Sequence, residues 1–267
     1  TKEPVRLYAK DLDANGTIDP LLSYYLRDSI GDKHEYLYHS WQDVTAQYVG
    51  IRKKFNSFGE FGSATLPKMF SNGLLDDAEV LELNYMKSIW IENLGNEKFE
   101  VHQLPIETQI APVYGILPFD INNDQHTDLL LIGNDYGIET SQGRADSFRG
   151  LTLKNNGDGS FSPLTIQESA FFVPGNGKAL VRVNQASKEL FVLASQNNDS
   201  LKAFKRSINN LKNLIKIENN EIKAEVEYVD GNKKLFEFYW GNGFKSQSSR
   251  VIPITKNIKT VRITANK

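Results

Sequence analysis

Two short stretches carry oxygen-bearing side chains at a spacing suited to a hard cation. The first is Asp11-Leu12-Asp13-Ala14-Asn15-Gly16-Thr17-Ile18-Asp19 and the second is Asp120-Ile121-Asn122-Asn123-Asp124-Gln125-His126-Thr127-Asp128. Calcium takes about six to eight oxygen ligands at roughly 2.3–2.6 Å, drawn from carboxylates, side-chain amides and backbone carbonyls. A short loop supplies them when its acidic residues alternate with others. In the first loop Asp11, Asp13 and Asn15 alternate, Gly16 permits the sharp turn, Thr17 offers its carbonyl and Asp19 closes the ring. In the second loop Asp120, Asn122, Asp124 and Asp128 take the same places, with the carbonyl of His126 standing for that of Thr17. Gln125 occupies the glycine position, so its backbone is expected in a left-handed conformation at some cost.

An EF-hand would need a glutamate at the twelfth position, which is Leu22, and helices on both sides. Magnesium fits less well, because it prefers strict octahedral geometry and retains water. The competing explanation is a surface turn rich in Asp and Asn that holds no ion. Recurrence of the spacing in two loops, each between strand-like runs, favours the ion. Two Ca²⁺ sites are therefore expected, with a structural role: the ion neutralises clustered carboxylates and pins a hairpin.

Other chemistry is thinly represented. The histidines at 34, 39, 102 and 126 form no H-E-x-x-H pattern, and no G-x-S-x-G is present. Gly175-Asn176-Gly177-Lys178-Ala179 lacks the spacing and the hydroxyl residue of a phosphate loop and reads as a turn. The absence of cysteine excludes disulfides, thiolate catalysis and thiolate-bound zinc. Gly241-Asn242-Gly243-Phe244, followed by Ser246-Gln247-Ser248-Ser249, has groups that could hold an anion or sugar, but reads better as a hairpin turn. No catalytic residues are assigned, and a non-enzymatic protein is expected.

The elements that must position the loops are mostly strands. Residues 5–9 and 21–25 flank the first loop as a hairpin. From about 40 the pattern turns helical. Ser40 with Asp43 starts a helix carrying Val44, Tyr48, Ile51 and Phe55 on one side and ending at 56–59. Shorter helical pieces are expected at 66–70 and 76–80. Strands follow at 88–92, 99–104, 113–117, 129–132, 150–154, 180–183, 190–194 and 202–205. This rhythm suggests an all-β array.

Repeats underlie that rhythm. The stretch Ile91-Glu92-Asn93-Leu94-Gly95-Asn96-Glu97-Lys98-Phe99 aligns with Leu153-Lys154-Asn155-Asn156-Gly157-Asp158-Gly159-Ser160-Phe161. From Asp120 to Asn155 is 35 residues, and from Asp11 to Asn93 is 82. The 47-residue excess matches a helical insertion at about 31–83. A third unit, 171–204, has 184–189 in place of an acidic loop. The insertion is aromatic (Tyr36, Tyr38, Trp41, Tyr48, Phe55, Phe58, Phe61, Phe70), which is expected mainly to pack inward. Any ring left exposed would mark a partner or glycan surface.

At these residues a family resemblance appears. The two acidic loops, the run Leu129-Leu130-Leu131-Ile132-Gly133-Asn134 and the turns at 93–99 and 155–161 resemble the FG-GAP/VCBS repeats of integrin-like β-propellers. Residues 207–267, with Val229-Asp230-Gly231 and the Gly241 to Ser249 stretch, are similar to the ASPIC/UnbV domain, although its usual Trp-Pro-x-Gly ending is missing after Arg262-Ile263. The resemblance implies a mainly β fold: calcium-bound partial propeller blades over 1–206 with the helical insertion, then a small β module over 207–267. It further implies a bacterial cell-surface or outer-membrane-associated location, as in many Bacteroidetes proteins, and a role in binding or assembly. The expected partner is a protein or the remainder of a longer propeller chain. A carbohydrate-binding or polysaccharide-processing accessory role is the alternative.

Composition sets the outer bounds. The 267 residues are 40% hydrophobic and 11% aromatic, enough for a packed core. With 31 basic and 33 acidic residues the net charge is −2, which argues against a nucleic-acid binder. No run approaches the roughly 18 apolar residues of a spanning helix. A closed propeller needs at least about four blades, whereas this sequence holds about two and a half repeats. The chain is thus expected to be the C-terminal part of a longer protein or to pack its open edges on a partner. Two bound Ca²⁺ ions would add four charges and bring −2 to +2.

Overall fold

Strand β1 (Val5–Lys10) runs into the first acidic loop and returns as β2 (Asp19–Arg27), paired antiparallel from Arg6↔Ser23 to Lys10↔Asp19. The expected hairpin is present in the computed structural model, which describes residues 3–138, 143–184, 189–207 and 211–265. Strand β3 (Lys33–Leu37) adds to the outer edge of β2 and β4 (Glu79–Leu83) to that of β1, giving the order β3-β2-β1-β4. The expected helical insertion therefore begins and ends as strand.

One face of this sheet carries Leu21, Ser23 and Leu37, all buried, and the helical segment packs on it. Glu35 shares that face. Its carboxylate accepts from Ser23 Oγ (2.6 Å) and Tyr8 Oη (3.0 Å) and pairs with Arg6 at 3.4 Å, so the inward charge is fully engaged. Helix α1 (Trp41–Gln47) starts at Ser40 through a reciprocal cap: Ser40 Oγ accepts from Asp43 N, and Asp43 accepts from Ser40 N, both at 3.2 Å. The expected helix does not continue to Phe55. Tyr48 is extended (φ −123°), and a 3₁₀ turn over Val49–Lys53 follows. Gly50 lies so close under the Tyr48 ring that a Cβ there would be 2.5 Å from it. Val44, Ile51 and Phe55 are nonetheless all buried, because the broken helix returns the same face to the core.

Helices α2 (Phe58–Ser63) and α3 (Leu66–Met69) complete the segment. Residues 76–80 are not helical: they form a turn and the start of β4, with Gly73 left-handed (φ 73°) and Asp77 drawn to Lys10. Trp41 stands edge-on to Phe55 and Phe61, at 6.3 and 5.0 Å, in this core. Phe58 also meets Trp41 edge-on but stays 68% exposed. Replacing Ser40 by alanine should cost about 1 kcal/mol, read as a lower urea midpoint; an unchanged midpoint would show the cap to be dispensable.

The chain divides into two compact units, Thr1–Lys87 and Ser88–Lys267. All eight strands expected after residue 87 are present in the second. The hairpin β5 (Ile89–Gly95) and β6 (Lys98–Gln103) forms a two-stranded sheet. Strands β7 (Val113–Phe119), β8 (Asp128–Gly133), β9 (Leu151–Asn155) and β10 (Phe161–Leu164) form an antiparallel meander in the order β10-β9-β8-β7. The single turn α4 (Ile166–Ser169) leads to the sheet of β11 (Gly177–Asn184), β12 (Glu189–Gln196) and β13 (Lys202–Ser207). Residues 185–188, where the third unit departs from the acidic pattern, lie outside the described residues.

The two halves of the expected first repeat do not share a sheet. β3 holds the edge of β2, while the Asn93 turn belongs to the separate β5–β6 hairpin. By contrast, the second acidic loop and the Asn155 turn both belong to the β7–β10 meander.

The boundary expected at 206/207 falls within the second unit. Beyond it, β14 (Leu211–Lys216) pairs with β17 (Val251–Thr255), and β15 (Glu221–Tyr228) lies between β16 (Lys233–Glu237) and β18 (Ile258–Ala265). After Asp128, residues 129–132 of β8 are all apolar because both faces of the strand are covered. Leu130 and Ile132 pack with Val173, Leu180 and Val192, while Leu131 packs with Phe148, Leu151 and Leu153. The serines at 248 and 249 line the edge of β11, where Arg182 N donates to Ser248 Oγ (3.1 Å) and Ser249 N donates to Arg182 O (2.8 Å). Their groups thus join the C-terminal strands to the β11–β13 sheet. Within the described residues the architecture is mainly β, in several antiparallel sheets with no closed barrel.

Candidate metal centre in the acidic loops

Each loop is shaped by its own acidic side chains turning back on the backbone. In the first, Asp11 accepts from Asn15 N (3.0 Å) and Gly16 N (2.7 Å), and Asn15 Oδ1 accepts from Thr17 N (2.8 Å). Asp19, buried at the root, accepts from Leu12 N (2.9 Å). The second loop repeats all four bonds at matching positions: Asp120 accepts from Asp124 N (3.2 Å) and Gln125 N (2.8 Å), Asp124 Oδ1 from His126 N (2.9 Å), and Asp128 from Ile121 N (2.8 Å). The left-handed residues also match: Ala14 (φ 59°) with Asn123 (64°), and Gly16 (86°) with Gln125 (72°). Gln125 adopts the conformation that glycine takes in the first loop.

The loops differ in where their carboxylates point. Asp11, Asp13 and Asp19 each bring a carboxylate oxygen to within 4.8 Å of the others, and among the described residues this is the only such group of three. In the second loop the counterpart of Asp13 is Asn122, whose Nδ2 donates to Asp124 Oδ2 (2.7 Å). That bond draws Asp124 toward the amide. In both loops the fifth position, Asn15 or Asp124, accepts from the amide two residues on. The residue expected to give a carbonyl, Thr17 or His126, is thereby held by its N–H.

Charge is handled differently as well. The amides of Gly16 and Asn15 hold the Asp11 carboxyl below the ordinary carboxylate range against a desolvation penalty. Lys10, next to it, is spent on Asp77 and on Leu74 O (2.8 Å). At Asp124 burial raises the pKa, but the Asn122 amide, the His126 N–H and the fields of His126 and Lys154 more than offset it, and the carboxyl is lowered.

Basic groups from distant parts of the second unit also reach its loop. Arg206 donates to Ile121 O (3.1 Å), and Lys234 Nζ donates to Gln125 O (3.2 Å). Burial lowers the pKa of Lys234, opposed by Asp120, Asp128 and Asp124. Gln125 Nε2 in turn donates to Asp230 Oδ2 (2.7 Å), in the turn between β15 and β16.

Sequence reasoning missed two positioning partners here. Asn155, read only as a turn residue, donates its N–H to Asp128 Oδ1 (2.8 Å) and its amide to Thr127 O (3.1 Å). It ties the loop to β9. Lys234 was hidden in a charged run, and the signal was its place in the strand alternation, on the side of Phe236 rather than of Lys233. The histidines are engaged locally. His34 Nε2 meets Asp28 at 3.0 Å, His39 Nε2 accepts from Leu22 N (3.0 Å), and His102 stacks on Trp90 at 4.3 Å. A cleft of about 540 Å³ in the first unit is lined by Tyr24, Tyr36, His39, Phe61 and Met69 among others.

Comparison with family models, curated proteins and solved structures finds no match. Among the described residues no helix is long and apolar enough to cross a membrane.

Proposed function

We propose that this chain is a non-enzymatic, calcium-stabilised binding or assembly module of a bacterial surface protein, built from FG-GAP/VCBS-type blades over 1–206 and an ASPIC/UnbV-type module over 207–267. The observation that carries this reading is the shared conformation of the two acidic loops, together with the convergence of Asp11, Asp13 and Asp19. Three carboxylates this close repel one another unless a cation joins them. Asp11, Asp13, Asn15 and Asp19, with the carbonyl of Thr17, would hold one Ca²⁺. Asp120, Asn122, Asp124 and Asp128, with that of His126, would hold the other. Each set carries three carboxylates and one amide, with Asp and Asn exchanged between the third and fifth positions.

The ions would neutralise the loops and fix the hairpins, leaving the recognition itself to side-chain surfaces. The four-stranded β7–β10 meander has the form of a propeller blade and supports the family reading. The helical segment, with Val49 and Phe58 at 59% and 68% exposure, is the first candidate contact for a protein partner. Ion counting by equilibrium dialysis at saturating calcium tests the assignment. Wild-type chain should bind two ions, and Asp13→Ala and Asp124→Ala should bind one each. Absence of bound calcium from the wild type would overturn it.

A further inference from the structure

We propose that Lys234 is the resident counter-cation of the second acidic loop, so that seating of the β15–β16 hairpin and capture of a divalent ion by that loop oppose each other. The inference rests on the calcium reading of the loop and adds its regulation. It begins with a residue on the wrong side of a strand. Along β16, Lys233, Leu235 and Glu237 point outward, and Lys233 and Glu237 pair with Glu225 and Lys223 of β15. Lys234 and Phe236 point the other way, opposite the fully buried Val226 and Ala224. A lysine on the core side of a sheet is costly unless its ammonium finds a polar outlet. Here the stem runs along that face and the head emerges at the second loop, donating to Gln125 O at 3.2 Å.

The seat has a second fastening. The hairpin turn places Asp230 against Gln125 Nε2 at 2.7 Å, and Tyr228 N to Asn232 O (2.8 Å) closes that turn. Gln125 is therefore gripped at both its carbonyl and its side chain, at the residue whose left-handed backbone shapes the loop. The ammonium, seated on the Gln125 carbonyl, feels the field of Asp120, Asp124 and Asp128 in which a Ca²⁺ would also lie, and two cations held in one acidic field repel each other. Among the described residues the first loop shows no such device, since Lys10 beside it is committed to Asp77 and Leu74. It follows that the first loop is the tighter calcium site, and that calcium at the second weakens the hairpin's hold.

The test is calcium titration by calorimetry on the full chain carrying Asp13→Ala, which leaves only the second loop. Adding Lys234→Met keeps the apolar stem and removes the charge, and should tighten binding by about tenfold or more; Lys234→Arg should leave it near the parent value. Hydrogen exchange on the wild type supplies an independent readout: calcium should speed exchange at the amides of Tyr228 and Gly231. Unchanged or weaker binding in Lys234→Met, no binding at the second loop in either variant, or slower exchange with calcium would each overturn the proposal. Wild type retaining one ion in those cases would leave the calcium reading of the first loop intact, whereas wild type binding none would remove both.

Discussion

Calcium at about one hundred times its dissociation constant should stabilise the first unit by about 2.7 kcal/mol, and chelation should abolish the gain. For a unit of this size that corresponds to a rise in melting temperature of about 10–20 °C. The magnitude follows from linkage alone, given an ion that binds the folded loop and not the open chain. The structure supplies the reason for that selectivity. Asp11, Asp13 and Asp19 are brought together only when β1 and β2 pair, because Lys10↔Asp19 is the last rung before the loop. Scanning calorimetry with calcium and then with EGTA checks it. Asp19→Asn can still accept from Leu12 N but lacks the charge, so it should lose most of the calcium-dependent shift. A wild-type melting curve indifferent to calcium would sink the proposal.

Asn134→Ala should be the most damaging single truncation in the second unit, at about 3–5 kcal/mol. Asn134 is fully buried beyond the end of β8. Its Nδ2 donates to Phe148 O (2.7 Å) and Gly175 O (2.9 Å), and its Oδ1 accepts from Phe148 N (2.9 Å). One amide thus satisfies backbone groups from two segments distant in sequence. Alanine would leave these groups buried without partners, and would also have to adopt a φ of 82°, which asparagine tolerates better. Urea denaturation measures the loss. Asn134→Asp should fall nearly as far, since a carboxylate cannot donate to the two carbonyls. A loss under about 1 kcal/mol in the alanine variant would mean that water replaces the amide.

What the sequence made legible was local. The acidic loops announce their shape because each side chain bonds to an amide two to seven residues away, and even the left-handed Gln125 follows from the glycine at 16. The Ser40–Asp43 cap and the strand rhythm are equally short-range. Where the reading failed, the deciding contact, near or distant in sequence, was one that spacing alone does not carry. The helix through Phe55 breaks because Tyr48 folds over Gly50, a contact that apolar periodicity does not encode. Residues 33–37 look like part of an insertion, yet they pair with β2 because Glu35 finds Ser23, Tyr8 and Arg6 there. That pairing in turn closes the edge of β2. Asn155 and Lys234 reach loops 27 and more than 100 residues away in sequence. No spacing rule reaches so far.

The order of strands gives the two loops different lifetimes. β1 and β2 are the inner strands of their sheet, so peeling of β3 or β4 leaves the first loop anchored on both sides. β7 is an edge strand, so fraying there leaves that end of the second loop held by side-chain bonds such as Arg206 to Ile121 O rather than by a ladder, while β8 stays in place. Openings of that kind need far less free energy than global unfolding and recur on much shorter timescales. On the calcium reading, an ion in the first loop would be released by rare, cooperative events and one in the second by local breathing: two loops of one backbone shape, one a lock and the other a latch.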